Sequence, residues 1–126
     1  MEVKGIFLGL QHIGVPTRDV KKTVEFYSQF GFETDWADAS GSPTFLKCGT
    51  CVIETYHMDE VAQCNGGVDH IAIDVSDIEK ALEYARSLGY EPLEGKICDL
   101  SVYANGVRYF TLLGPNHEKV EFNQKL

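Results

Sequence analysis

Residues 10–15 read LQHIGV, and residues 68–73 read VDHIAI. Each stretch alternates apolar residues around a histidine, which is the pattern of a half-buried β-strand. His12 and His70 are 58 positions apart, and an ungapped alignment at that offset matches residues 10–33 with residues 68–91. Seven of these 24 pairs are identical. Because chance rarely preserves one register over a whole strand and helix, the sequence predicts an internal duplication.

The first half of the duplication predicts the order β-α-β-β-β. A strand is predicted over residues 6–16, and a helix follows with Asp19 as its N-cap and Gly31 as its C-terminal glycine. Three further strands are predicted from turn residues and β-formers. They cover residues 32–37, 44–48 and 51–57.

The second half repeats this order. Asp77 and Gly89 bound its helix after a strand over residues 68–75. The later strands are predicted at residues 90–93, 102–103, 107–113 and 119–124, the first two from weaker patterns. We therefore predict an α+β fold of tandem βαβββ modules, residues 6–57 and 68–124. They are expected to form a curved mixed sheet with a cleft and with the helices on its outer face.

Composition limits the classes of protein to which the chain can belong. Its 126 residues are 44% hydrophobic, which suits one compact domain over residues 1–126. The net charge is −8 and no basic cluster is present, so neither a nucleic acid nor an anionic membrane is expected as a partner. No apolar run approaches the roughly 20 residues that span a bilayer. The first ten residues lack a cleavage-site pattern, and we expect a cytoplasmic protein.

Four cysteines stand at positions 48, 51, 64 and 98. Cys48 and Cys51 form a CxxC motif, but no second pair stands at zinc-finger spacing. Gly49 and Thr50 between them indicate a turn between two strands and not the helix start of a thioredoxin-type site. The sequence therefore predicts four small apolar side chains that stay reduced.

Strand parity places the two histidines on one kind of surface. Side chains two residues apart share a face of a strand. Ile13 and Val15 suit the face that packs against the helix, so His12 is predicted to point away from it. By the same argument, packing of Ile71 turns His70 away from the helix in the second module.

The last strand of each module carries a glutamate in a similar sequence context. Glu54 and Glu121 each follow an aliphatic residue, so each is predicted on the face opposite the helix. Ionised glutamates on an inner sheet face are costly without a cation. Two imidazole nitrogens and two carboxylate oxygens suit a divalent transition metal, and one curved sheet face would bring all four together. The alternative is four unrelated, ordinarily solvated side chains, and it must explain why they occupy duplicated positions.

The chain resembles the vicinal oxygen chelate superfamily, which comprises glyoxalase I, bleomycin resistance proteins and extradiol dioxygenases. The resemblance covers nearly the whole sequence and rests on the order His12, Glu54, His70, Glu121, the last after Gly114-Pro115-Asn116. It implies paired βαβββ modules, a metal in the cleft, and substrates that chelate this metal through two neighbouring oxygens. It also implies a homodimer, with the metal site formed either within one chain or across two.

The resemblance implies a metal-dependent isomerase or lyase, similar to lactoylglutathione lyase or to an epimerase, that works by proton transfer. Nickel, zinc or cobalt would be the metal, and either Glu54 or Glu121 the catalytic base. One alternative is an Fe(II) oxygenase of the extradiol type, with His12, His70 and Glu121 as a facial triad. The other is a binding protein of the antibiotic-resistance type that sequesters a drug or metabolite.

The sequence departs from the glutathione-using branch at two places. Those glyoxalases usually carry an arginine after the first ligand strand and an asparagine soon after the second ligand, where Pro16 and Met58 stand here. These departures argue against glutathione recognition. Four residues are candidates to line a small-molecule pocket, with ordinary core or surface positions as the equal alternative. They are Trp36, Tyr56, Tyr103 and Arg108, with Tyr109 beside the last of them.

Overall fold

The computed structural model describes residues 5–6, 8, 10–64, 66 and 70–126. They fall into two compact units, Met1–Val61 and Ala62–Leu126. Each unit has the element order β-α-β-β-β, which confirms the α+β fold predicted from the duplication. Each module builds its own four-stranded mixed sheet, so the strands form two sheets where the sequence predicted a single curved one.

In unit 1 the first strand pairs with the last. The elements are β1 (Ile13–Thr17), α1 (Val20–Ser28), β2 (Glu33–Ala37), β3 (Thr44–Cys48) and β4 (Cys51–His57). The strand order is β1-β4-β3-β2, with β1 parallel to β4 and the other pairs antiparallel. The parallel pairing is possible because α1 carries the chain across one face of the sheet between the two strands.

Unit 2 repeats this topology. The elements are β5 (His70–Asp74), α2 (Ile78–Ser87), β6 (Cys98–Leu100), β7 (Val107–Leu113) and β8 (Lys119–Lys125). The strand order is β5-β8-β7-β6, again with one parallel pair, β5 with β8. The two described helices have nine and ten residues, and neither is long and apolar enough to cross a membrane.

The duplicated helix signals act as predicted. The side chains of Asp19 and Asp77 each accept a hydrogen bond from the backbone N–H three residues further on, both at 3.1 Å. Gly31 and Gly89 have φ values of +86° and +92°, which a residue without a Cβ adopts at little cost. Each glycine turns the chain out of its helix in the same way, so both modules begin and end their helices alike.

Each helix packs on one face of its own sheet, and this face carries the core. α1 contacts β3 and β4, and α2 contacts β7 and β8. Phe110 and Phe122, which are directly opposite in β7 and β8, stack with ring centroids 5.1 Å apart. The buried apolar residues of unit 1 are Val15, Phe26, Tyr27, Phe32, Leu46 and Ile53. Those of unit 2 are Ile78, Leu82, Ala85, Val107, Phe110, Leu112, Val120 and Phe122.

The first strand of each module is shorter than predicted. β1 begins at Ile13, where its ladder with β4 starts opposite Ile53, and not at residue 6. Of the predicted strand over residues 6–16, positions 7 and 9 lie outside the described residues. β5 begins at His70, and positions 68 and 69 of its predicted strand also lie outside them. His12 therefore directly precedes its strand, whereas His70 begins one.

The two weaker strand predictions, at residues 90–93 and 102–103, are wrong. The second strand of unit 2 is β6 (Cys98–Leu100), which pairs with the start of β7. Tyr103 lies in a turn with φ +58°, and Gly106 follows with φ +84°. The pattern of β-formers misled here because the tight return into β7, and not local propensity, decides the conformation of this segment.

Candidate functional site

Unit 1 brings His12 and Glu54 together on the sheet face opposite α1. Glu54 in β4 is directly opposite Gly14 of the parallel strand β1, and Gly14 follows His12 by two residues. His12 Nε2 lies 3.3 Å from Glu54 Oε1. Its Nδ1 lies 3.1 Å from the side-chain oxygen of Gln11, so both ring nitrogens of His12 have an oxygen neighbour. A cation between Nε2 and Oε1 would be stabilised by the charge of the carboxylate and could bind the electron pair of a neutral imidazole nitrogen.

Unit 2 has the same pair at the equivalent positions. Glu121 is directly opposite Ala72 in the β5–β8 ladder, again two residues after the histidine. His70 Nε2 lies 3.8 Å from Glu121 Oε1. The amide of Asn123 donates from Nδ2 to the other carboxylate oxygen, Oε2, at 3.1 Å. The second carboxylate thus accepts a hydrogen bond on Oε2 and has the imidazole of His70 near Oε1.

The alternation of β4 and β8 explains why both glutamates point away from the helices. Ile53 and Thr55, which flank Glu54, are fully buried on the helix side. Val120 and Phe122 flank Glu121 and are buried in the same way. Since successive side chains of a strand point to opposite faces, burial of the neighbours fixes the direction of each carboxylate.

The structure joins each histidine to the glutamate of its own unit. In the part of the chain that the structure describes, no group of three or more His, Cys, Asp or Glu side chains is close enough to hold a metal ion. Each pair offers one imidazole nitrogen and one carboxylate oxygen. The chemistry of this donor set fits a divalent transition metal, and each pair would offer two ligands to such an ion.

Aromatic side chains surround the pair in unit 1. Phe45 is directly opposite Glu54 in the β3–β4 ladder, and its ring meets the His12 ring edge-on at 5.5 Å. Trp36 is opposite Phe45 in β2, with ring centroids 6.3 Å apart, and is 56% exposed. The ring of Tyr56 lies over Gly14, where a Cβ would meet it at 3.6 Å. Trp36 and Tyr56 therefore lie on the face that carries Glu54.

Sequence reasoning missed Phe45. Its signal was present, because a two-residue turn at Gly49 and Thr50 fixes the hairpin register and sets residue 45 opposite residue 54. Phe45 was overlooked because an aromatic residue within a strand is usually assigned to core packing.

Arg108 lies on the other face of its sheet, which corrects the expectation that it lines a pocket with the aromatic residues. Its strand neighbours of like parity, Phe110 and Leu112, are buried on the helix side. The guanidinium pairs with Glu79 of α2 and with Asp99, both at 3.4 Å. Its charge is therefore already engaged away from Glu121.

Tyr103 and Tyr109 differ in their surroundings. Tyr103 is 72% exposed in a turn, and Lys125 Nζ lies 4.3 Å above its ring. Lys125 is four residues beyond Glu121 in β8, so Tyr103 lies beside the far end of that strand. Tyr109 is opposite Asn123, the residue that holds Glu121. Burial raises the pKa of the Tyr109 phenol, and the nearby Cys98, Glu94 and Glu121 raise it further.

Comparison with known proteins establishes the superfamily and the fold. The family profile of the Glyoxalase/Bleomycin resistance protein/Dioxygenase superfamily matches residues 9–122. The chain therefore belongs to this superfamily, whose name covers both enzymes and resistance proteins. The uncharacterized protein YwbC of Bacillus subtilis is 27% identical over 139 aligned positions, which cover 92% of this chain and 97% of that protein.

Solved structures share the fold at lower identity. A glyoxalase family protein from Enterococcus faecalis is 19% identical, with a TM-score of 0.76 and coverage of 94% of this chain and 98% of that one. The fosfomycin resistance protein FosX of Listeria monocytogenes is 18% identical, with a TM-score of 0.72 and coverage of 92% and 90%. At these identities the likeness establishes the fold.

Proposed function

We propose that this chain is a divalent-metal-dependent isomerase or lyase of the glyoxalase type, acting on a small substrate with two neighbouring oxygens. The observation that carries the proposal is the repeated pair, His12 with Glu54 and His70 with Glu121, at equivalent register positions of both modules. Selection for stability alone does not favour two half-exposed His–Glu pairs on the sheet faces away from the helices.

The four side chains would hold nickel, zinc or cobalt. His12 and His70 would each supply a neutral imidazole nitrogen, and Glu54 and Glu121 a carboxylate oxygen. When bound, such an ion supplies Lewis-acid chemistry that acidifies a C–H next to a coordinated oxygen. The two carboxylate charges would offset the charge of the ion, which agrees with the absence of a Lys or Arg ion pair to either glutamate among the described residues.

The contacts of the two glutamates support a proposal of different roles for them. Glu121 accepts a hydrogen bond from Asn123 on one oxygen and lies 3.8 Å from His70 Nε2 on the other, and its side chain is 14% exposed. In the described part of the chain, Glu54 contacts His12 through one oxygen, and its side chain is 25% exposed. A base must move toward the substrate to take a proton and back to return it. We therefore assign Glu54 as the base and Glu121 as the fixed ligand.

The aromatic face of unit 1 would bind the apolar part of the substrate. Phe45 and Trp36 continue from Glu54 across β3 and β2, and Tyr56 covers the glycine beside the carboxylate. The corresponding position to Tyr56 in unit 2 holds the polar Asn123, since each lies two residues after its glutamate. The substrate class favoured by this contrast carries an apolar or aromatic group next to its two oxygens.

Metal content is the first test of the proposal. Elemental analysis of the purified protein should find nickel, cobalt or zinc in a stoichiometric amount, and His12→Ala or Glu121→Ala should lose it. Stoichiometric iron together with oxygen consumption would favour the extradiol-type oxygenase. Full-affinity metal binding in both variants would reject the ligand set, and a metal-free protein that binds drugs would favour the resistance-type function.

Paired glutamine variants test the assigned roles. Glu54→Gln should keep the metal and lose about 10²–10⁴ in rate, the usual contribution of a general base. Glu121→Gln should mainly weaken metal binding. Turnover and solvent-deuterium exchange at the substrate C–H would be followed with a methylglyoxal hemithioacetal and with methylmalonyl-CoA as probes. If Glu54→Gln exchanges a turned-over probe at the wild-type rate, Glu54 is not the base.

Mixing experiments test whether two chains share a site. We propose a homodimer in which the His12–Glu54 pair of one chain works with the His70–Glu121 pair of the other. His12→Ala and His70→Ala should each be inactive, yet co-refolding them should restore about a quarter of wild-type activity, since half of the dimers are mixed and each has one intact site of two. No restoration in a mixture that forms mixed dimers would show that each chain completes its own site.

A further inference from the structure

Two cysteines close the hairpin between β3 and β4. Cys48 and Cys51 are direct partners in the antiparallel ladder, and Gly49 turns the chain between them with φ +58°. Directly opposite residues of an antiparallel pair have Cα atoms about 4.5 or 5.5 Å apart, and a disulfide accepts either separation. Both thiols are free and half-buried in this structure.

A cavity of about 290 Å³ lies beside one of these thiols, within unit 1. Cys48 lines it, and its Sγ lies 3.9 Å from the place where a Cβ on Gly31 would be. The missing side chain of Gly31 thus leaves room beside the sulfur. The lining residues are Gly31, Glu33, Thr34, Asp35, Lys47, Cys48 and Gly49. Two carboxylates against one ammonium give the cavity a net negative charge, which favours a cationic group.

The two thiols differ in their surroundings. Burial raises the pKa of Cys51, and the neighbouring Cys48 raises it further. Cys51 does not line the cavity, whereas Cys48 does. A thiol that opens on a cavity is the one that a small reagent reaches first, and a thiol opposite it that does not line the cavity is placed to react second.

We propose that Cys48 and Cys51 form a reversible thiol–disulfide site whose co-reactant is a small, amine-bearing disulfide. The Cys48 thiol loses its proton to solvent and attacks one sulfur of the reagent, which breaks the reagent S–S bond and releases one small thiolate. The Cys51 thiolate then attacks the Cys48 sulfur and releases the second. The two cysteines give up two electrons and two protons, and the reagent takes them up as two thiols.

This site does not depend on the metal proposal. Cys48 and Cys51 are directly opposite each other in the ladder, and neither is directly opposite a proposed metal ligand. A disulfide would nevertheless lie in the hairpin that also carries a proposed ligand, since Cys51 begins the strand that contains Glu54. A cross-link there would join β3 to β4 at their turn and would be reversed by a reducing thiol.

The test uses the full-length protein with cystamine, a cationic disulfide, and with 2-hydroxyethyl disulfide, its neutral counterpart. After acid quenching and alkylation, intact mass and peptide mapping follow the thiols. The wild-type protein should form a Cys48–Cys51 disulfide, lighter by two hydrogen atoms. Cys51→Ser should stop at a mixed disulfide on Cys48, and Cys48→Ser should react at position 51 at least about tenfold more slowly. Equal adduct rates in the two variants, or no internal disulfide in the wild-type protein, would overturn the proposal.

The charge of the reagent tests the part played by the cavity. Cystamine should react about twofold to fivefold faster than the neutral disulfide at Cys48, after correction for the same ratio at the exposed Cys64 of the same chain. Glu33→Gln should reduce this preference, whereas Glu25→Gln, a matched change on the exposed surface of α1, should leave it unchanged. An equal corrected rate for both reagents would refute the assignment of an amine-bearing co-reactant.

Discussion

The hydrogen bond from Asn123 to Glu121 offers a direct test of how the second pair is organised. Asn123→Ala removes the amide that donates to Glu121 Oε2 at 3.1 Å and leaves the His70 contact in place. Asn123 does not belong to the proposed ligand set, so the change alters the support of a ligand and not the ligand. We expect the variant to fold and to bind metal more weakly.

The size of the effect follows from the burial of the carboxylate. Hydrogen bonds to charged groups contribute about 1.5–3 kcal/mol, and the upper part of that range needs a desolvated acceptor. Glu121 is 14% exposed, so most of the contribution should be retained. Residues that orient a metal ligand typically change metal affinity by about 10–100-fold, which is about 1.4–2.8 kcal/mol. The two routes agree on this range.

The assay is titration of metal-free protein with zinc or nickel against a competing chelator. Asn105→Ala is the matched control, since Asn105 also makes a side-chain hydrogen bond, to the backbone of Leu126, away from the pair. The control should bind metal as the wild-type protein does. Wild-type affinity in Asn123→Ala, combined with weakened binding in Glu121→Gln, would show that the amide does not organise the ligand. Wild-type affinity in both would remove Glu121 from the ligand set.

Three further predictions concern other parts of the chain. Asp19→Ala and Asp77→Ala each remove a helix N-cap and should each cost about 0.5–2 kcal/mol of unfolding free energy by urea titration, and a neutral result at either position would contradict the capping role. Trp36→Ala should raise the KM for a turned-over substrate about twofold to tenfold with kcat nearly unchanged. This is expected for loss of an aromatic contact that stabilises the bound substrate and the transition state equally. The pKa of Tyr109 is raised in the folded protein, so ionisation of this phenol is less favourable in the folded than in the unfolded state. Below pH 10 the phenol is neutral in both states and the free energy of unfolding is unaffected; it falls as the pH rises from 10 through the folded-state pKa. Tyr109→Phe should therefore unfold less readily than the wild-type protein above pH 10, and identical alkaline denaturation curves would argue against the shift.

The sequence alone determined the duplicated module and the direction of four side chains. Asp19 and Asp77 cap helices, Gly31 and Gly89 end them, and the strands between turns alternate in the predicted sense. These features depend on interactions between residues close in the chain, so local periodicity and turn chemistry report them. The placement of Glu54 and Glu121 opposite their helices follows from the same alternation.

Tertiary structure decided what depends on the partner of a strand. β1 begins where its ladder with β4 begins, and β6 lies at residues 98–100 because β7 needs a partner there. Arg108 pairs with Glu79 of α2, which is 29 positions away in the sequence. The difference in contacts between Glu121 and Glu54 was also seen only in the structure: Asn123 stands two residues from Glu121 in the sequence, but the sequence does not show that its amide donates to that carboxylate. Parity along a strand assigns a face from the sequence, but contacts across strands and with helices are non-local, and only the folded chain fixes them.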